Sequence, residues 1–166
     1  MTITSILGRA TRRMRVIPFE KRFTDQVLAL AREMHAESVF HRDIALDETK
    51  LIQQITAGSV LPHVYFRLCV RDDEVVLGGF FGTITSIYFS AERVAKDLAW
   101  FVKPTARGSA AAVALLADFE VWAAERGVQH VMVGQSTGVR PETTKALYER
   151  LGYRTVGVNT VKRVAA

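Results

Sequence analysis

The segment from Leu98 to Gly127 constrains the fold most, because it reads as a strand, a bare turn and a helix in direct succession. Leu98 to Val102 is a short apolar run closed by Lys103-Pro104, the pattern of a buried strand ending at a proline. From Ala112 onward Leu115, Leu116, Phe119, Trp122 and Ala123 recur at helical spacing, Asp118, Glu120 and Glu125 are expected to face away, and Gly127 supplies the stop. Between them lies Arg107-Gly108-Ser109-Ala110-Ala111-Ala112, with no large side chain after the arginine. The first N–H groups of a helix have no partner within it, and they carry the positive end of its dipole. A turn this bare therefore lets an anion approach them closely. Alanines at a helix start are also simply good helix formers, and that reading stays open. Arg107 favours the anion, since a guanidinium matches a phosphate or pyrophosphate. The turn lacks the Lys-Ser/Thr of a P-loop and the Gly-x-Gly-x-x-Gly of a dinucleotide turn.

The rest of the chain supplies an α/β frame. Met14 to Pro18 alternates as a strand, Thr24 opens a helix running to Ser38, and Asp47 caps a second helix that stops at Gly58. Val64–Val70 and Val75–Phe89 read as strands around the polar turn Asp72-Asp73-Glu74, and a fourth strand is expected over Ala95–Val102. A strand over Val128–Gly134, a helix over Glu142–Leu151 and one or two strands over Tyr153–Val164 complete the pattern. At 166 residues and 49% hydrophobic content this fits one domain with a substantial core, over residues 14–166, preceded by an arm at 1–13.

The net charge of +5 is concentrated at the start of the chain. Arg9, Arg12, Arg13, Arg15, Lys21 and Arg22 stand against Glu20 alone, and the remainder is neutral overall. A basic arm of this kind is solvated or packs on a partner subunit, so a homodimer is among the expected partners and nucleic acid is not. Cys69 is the single cysteine and lies in an apolar run, which excludes a disulfide framework or cysteine metal site within one chain. With no apolar run near the roughly 20 residues of a membrane span and no secretory segment at the start, a cytoplasmic protein is expected.

Val102, Pro104 and the turn Arg107 to Ala112 together resemble the central motif of the GCN5-related N-acetyltransferase (GNAT) superfamily. There a strand ending Val-x-Pro leads into Arg/Gln-x-x-Gly-x-Gly/Ala. Ala112 fits the Gly/Ala position, and Ala110 stands where the family usually has glycine. Lys145-Ala-Leu-Tyr-Glu-Arg-Leu-Gly-Tyr153 resembles the family's second signature, Ala-x-x-Tyr followed by Leu-Gly-Phe/Tyr. The element order agrees over nearly the whole chain after the arm. The wording of Met34-His-Ala-Glu-Ser38 and Phe119-Glu-Val-Trp-Ala123 looks like the phage and prophage branch.

The resemblance implies a central mixed, mostly antiparallel sheet flanked by about four helices. It also implies acetyl-CoA as cosubstrate, no metal, and direct acetyl transfer to a small-molecule or peptide amine in a ternary complex. A catalytically degenerate member that binds CoA or serves a structural role is the alternative. The cofactor would be held by Arg107, Gly108, Ser109, Ala110, Ala111 and Ala112, by the main chain of Phe101 and Val102, and by Thr143, where the family often has asparagine. Tyr148 matches the tyrosine placed beside the cofactor sulfur. For the proton of the amine, Asp97 stands out, since an acid within an apolar strand is costly unless paired or used. Glu37, His35 and His41 fall where the first helices wall the acceptor site, although a lone histidine on an apolar face is more often core.

Overall fold

The computed structural model describes residues 13–162 and 164. The basic arm expected over residues 1–13 therefore lies, except for Arg13, outside the described residues. Five strands form one sheet in the order β1-β2-β3-β4-β5: β1 Met14–Pro18, β2 Val64–Arg71, β3 Val76–Ser86, β4 Arg93–Val102 and β5 His130–Met132. The first four pair antiparallel, and β5 runs parallel to β4. Among the described residues four α-helices accompany them: α1 Thr24–Glu37, α2 Glu48–Gly58, α3 Ala111–Ala124 and α4 Pro141–Arg150. This is the mixed, mostly antiparallel sheet flanked by four helices that the resemblance implies.

Each sheet face is covered because the apolar stripes demand it. On one face Val27 and Leu30 of α1 and Ile55 of α2 pack with Leu68, Val70 and Val76. On the other, Leu115, Leu116, Phe119 and Trp122 of α3 bury against Tyr65 and Phe80. Side chains of this size contribute about 1.5–3 kcal/mol each when fully buried. The α2 cap is as expected, with Asp47 Oδ1 accepting from Lys50 N–H at 2.9 Å. Two acids expected on the outer face of α3 are instead bonded. Asp118 accepts from the Tyr65 hydroxyl at 2.6 Å and from Arg67 Nη1 at 3.0 Å, and Glu120 accepts from the Tyr153 hydroxyl at 2.6 Å.

Three strand expectations need correction. β3 stops at Ser86 and not at Phe89, because Tyr88 and Phe89 turn out into solvent before β4 begins. β5 is three residues long and not seven, since Val128 N–H closes the end of α3 on Ala123 O and the chain leaves β4 after Met132. No strand forms over Tyr153–Lys162. Alternating valines there favour extended backbone, but a strand needs ladder partners, and Val156 and Val158 remain exposed. No helix among the described residues is long and apolar enough to cross a membrane.

Candidate active site

β4 and β5 part company half-way along β4. Their pairing runs Val94 with His130, Ala95 with Val131 and Lys96 with Met132, and then ends. At the next step a side chain replaces the ladder, with Asp97 Oδ1 accepting from Gly134 N–H at 3.0 Å. On its other edge β4 stays paired to β3, but Gly82 sits opposite Asp97 and Phe81 opposite Ala99. Leu98 is thus an extra residue, and this β-bulge pushes its side chain outward to 56% exposure. The splay opens a cleft of about 800 Å³, within the range of small-molecule sites.

One end of the cleft is the turn into α3. Gly108 has φ +81°, a conformation that side chains resist, and a Cβ there would meet nothing within 4 Å. Ala110 precedes α3 without a side-chain cap, and Ser109 Oγ accepts from Ala111 N–H at 3.3 Å. Ala114 N–H bonds back to Ala110 O at 2.9 Å, while Ala112 and Val113 N–H find no acceptor among the described residues. Two free donors at the positive end of a fourteen-residue helix suit a pyrophosphate. Ser109, Ala110, Ala112 and Thr143 all line the cleft; Ala111 does not, its methyl being fully buried in the core.

Arg107 and Glu37, read from the sequence in separate roles, are brought together. Arg107 Nη1 donates to Glu37 Oε1 at 3.3 Å, Nη2 makes a closer contact to Oε2, and Nε donates to Val102 O at 3.3 Å. The guanidinium lies over the Phe101 ring, 5.2 Å from its centroid. The pair fastens the end of α1 to the turn after β4. Phe101 and Val102 pack their side chains into the two cores, leaving main chain toward the splay.

Beyond the splay point, the Tyr148 hydroxyl donates to Gly134 O at 3.0 Å. Its ring lies 5.6 Å from that of Trp100 and 5.7 Å from that of Tyr153. Gly134 thus gives its N–H to Asp97 and its carbonyl to Tyr148, so the two candidate proton carriers are both held by one residue. Burial pushes the Asp97 carboxyl from its ordinary 3.8 up to about 6, against the pull of the Gly134 N–H. Burial, and then the charge of Asp97, push the Tyr148 phenol upward. His41 lines the cleft, whereas His35 is tied through Nε2 to Ile44 O at 2.5 Å.

Sequence reasoning missed several groups. Trp100 lines the cleft with its indole nitrogen buried and unpartnered among the described residues. Gln135 Nε2 donates to Val139 O at 2.5 Å, bracing the loop after β5. Arg140, at the cleft's edge, adopts φ +48° just before Pro141. The Arg-Pro pair at a helix start was the available signal for Arg140; Trp100 offered none beyond its apolar strand. Val39 N–H donates to Thr137 O at 2.8 Å, joining the loop after α1 to the loop after β5.

The sequence matches the acetyltransferase (GNAT) family over residues 25–153. The chain belongs to that family. As a GNAT protein it is an acyltransferase of the acetyltransferase class. Among solved structures, AAC(6')-Iy in complex with the bisubstrate analogue CoA-S-monomethyl-acetylneamine superposes with TM-score 0.70 at 16% identity, covering 93% of this GNAT chain and 99% of that one. The aminoglycoside 6'-N-acetyltransferase AAC(6')-Ih from Acinetobacter baumannii gives 0.68 at 18%, covering 92% and 100%. A transcriptional regulator from Bacillus halodurans C-125 gives 0.74 at 15%, also covering 92% and 100%. At these identities the likeness is one of fold. A comparison with curated proteins found no match.

Proposed function

We propose that this protein transfers the acetyl group of acetyl-CoA directly to an amine, with both substrates bound together. The reading rests chiefly on one observation: Asp97 and Tyr148 converge on Gly134 where β4 and β5 separate. The pyrophosphate would lie at the bare start of α3, with Arg107 in reach, and the pantetheine would follow the free edge of β4 from Val102 toward Leu98. The solved complex of AAC(6')-Iy with an analogue that joins CoA to an acceptor supports adjacent sites in this fold.

The amine nitrogen attacks the thioester carbonyl carbon, a C–N bond forms and the C–S bond breaks. The nitrogen gives one proton to Asp97, and the departing sulfur takes one from Tyr148. Passage of that proton from Asp97 back to Tyr148 restores both groups, so an amine and acetyl-CoA become an amide and a free thiol. Asp97 suits its part, being ionised above about pH 6 yet a stronger base than an exposed carboxylate. The two groups also act on one another. The negative charge of Asp97 holds the Tyr148 proton, and protonation of Asp97 releases that hold when the sulfur needs it.

Thermal denaturation with and without acetyl-CoA, followed by thiol release with a panel of amines, tests the reading. Ligand at one hundred times its dissociation constant stabilises by about 2.7 kcal/mol, a clear shift. No shift would remove the cofactor assignment, and a shift with no thiol release from any amine would leave a CoA-binding protein. The phage and prophage branch is supported by the wording at Met34–Ser38 and Phe119–Ala123. A cytoplasmic setting is supported by the cosubstrate.

A further inference from the structure

The charges lining the cleft are unevenly divided. Among the described residues Asp97 is the one acid in its wall, against Arg107, Arg140 and Arg150. A second acid stands close by, but Glu37 is already held by Arg107 on both carboxylate oxygens. Arg140 and Arg150 suit the phosphates of a coenzyme, and while Arg107 keeps Glu37 the acceptor end has one free carboxylate.

The rest of that end offers no further carboxylate and a large apolar surface. Met34 of α1, Leu98 of the bulge and Val139 of the loop after β5 line it, and its polar members, His41, Gln135, Ser136 and Thr137, carry no carboxylate. Leu98 is unusual, since a leucine on an inner strand of a sheet covered on both faces ordinarily faces a core, and this one is 56% exposed. Its side chain is presented to whatever enters. A ligand carrying several ammonium groups would bring one of them to Asp97 and set the others against leucine, methionine or arginine. Each of those would lose water without gaining a counter-charge. One amine on an apolar body meets no such cost and covers Leu98.

We infer that the acceptor is a monoamine carried on an uncharged, apolar body, and that polycations such as aminoglycosides and polyamines are poor acceptors. The inference rests on the acetyltransferase reading above and selects among its substrates. It also separates this chain from the aminoglycoside acetyltransferases whose fold it shares.

The test is thiol release from acetyl-CoA with three probes, phenethylamine, neamine and spermidine, at low ionic strength. We expect kcat/KM for phenethylamine to exceed that for either polycation at least tenfold. Leu98→Glu, at an exposed position, should narrow that preference at least tenfold by giving a second ammonium a partner, with folding checked by the acetyl-CoA thermal shift. A wild-type preference for neamine or spermidine, or values within threefold, overturns the inference and leaves acetyl transfer standing. An unchanged preference in Leu98→Glu overturns the place given to Leu98. Thiol release no faster than without amine, for all three probes, overturns the inference, while acetyl transfer itself falls only if the wider amine panel is also silent.

Discussion

Asp97 is where stability and chemistry pull in opposite directions. Its carboxyl releases its proton near 3.8 in the unfolded chain and near 6 in the native state. Between those values the native state holds more protons, so this side chain removes stability as pH rises through that window, and the deficit is complete above about 6. Asparagine keeps an oxygen for Gly134 N–H and carries no charge to desolvate. Asp97→Asn should therefore raise unfolding free energy at pH 8 by up to about 3 kcal/mol, give no gain at pH 3, and lower turnover. Denaturant titration at the two pH values, beside a rate assay, checks this; a stability loss at pH 8 would make Asp97 a purely structural group. For the wild type the rate should climb as pH rises through about 6, when Asp97 ionises. Tyr148→Phe removes a proton donor and keeps the ring against Trp100. Turnover should fall by about 10²–10⁴-fold with acetyl-CoA affinity little changed; retention of a third of the rate would return Tyr148 to the pocket wall. The pairing of Arg107 with Glu37 makes a third expectation. If Arg107 serves the pyrophosphate, Glu37 competes for it, so Arg107→Ala should weaken acetyl-CoA binding by about 1.5–3 kcal/mol and Glu37→Gln should strengthen it about threefold or more. Calorimetric titration that finds both unchanged would leave Arg107 only the task of fastening α1.

At the scale of elements, the meeting of β3, β4 and α3 depends on Gly82. A Cβ there would sit 2.6 Å from Phe119 Cε2 and 3.0 Å from Lys96 O, too close on either side. Gly82→Ala should cost about 1–3 kcal/mol by overpacking and disturb the neighbouring bulge, measured as a lower denaturation midpoint together with reduced turnover. An unchanged midpoint would mean that α3 yields at no cost. The contrast between this contact and the turn it supports explains what could be read beforehand. The strand into Arg107–Ala112, the stripe of α3, the Asp47 cap and the helix bearing Tyr148 are written in neighbouring residues, and each appears where expected. The bulge at Leu98 arises from register between two strands, and the Arg107–Glu37 pair joins residues 70 apart. Asp118 looked solvent-facing by helical periodicity because its partner, Tyr65, is 53 residues away. The missing C-terminal strands show the converse, a local preference with no partner to realise it.

For the molecule as a whole, the site is assembled from both faces of the sheet, with α1 and its loop on one side and α3 and α4 on the other. The hydrogen bond from Val39 N–H to Thr137 O joins these halves, whose loops reach the cleft wall through His41 and Thr137. Its amide should exchange with solvent slowly in the free protein and more slowly with acetyl-CoA bound; exchange as fast as in the exposed tail after Tyr153 would show that the loops do not stay joined. A coenzyme held beneath that bond would leave sideways only by breaking it. Its dissociation would then be timed by loop separation and not by the strength of its own contacts. Product release would then show the steep temperature response of a conformational gate, and a mutation far from any substrate atom could set the pace of the whole cycle.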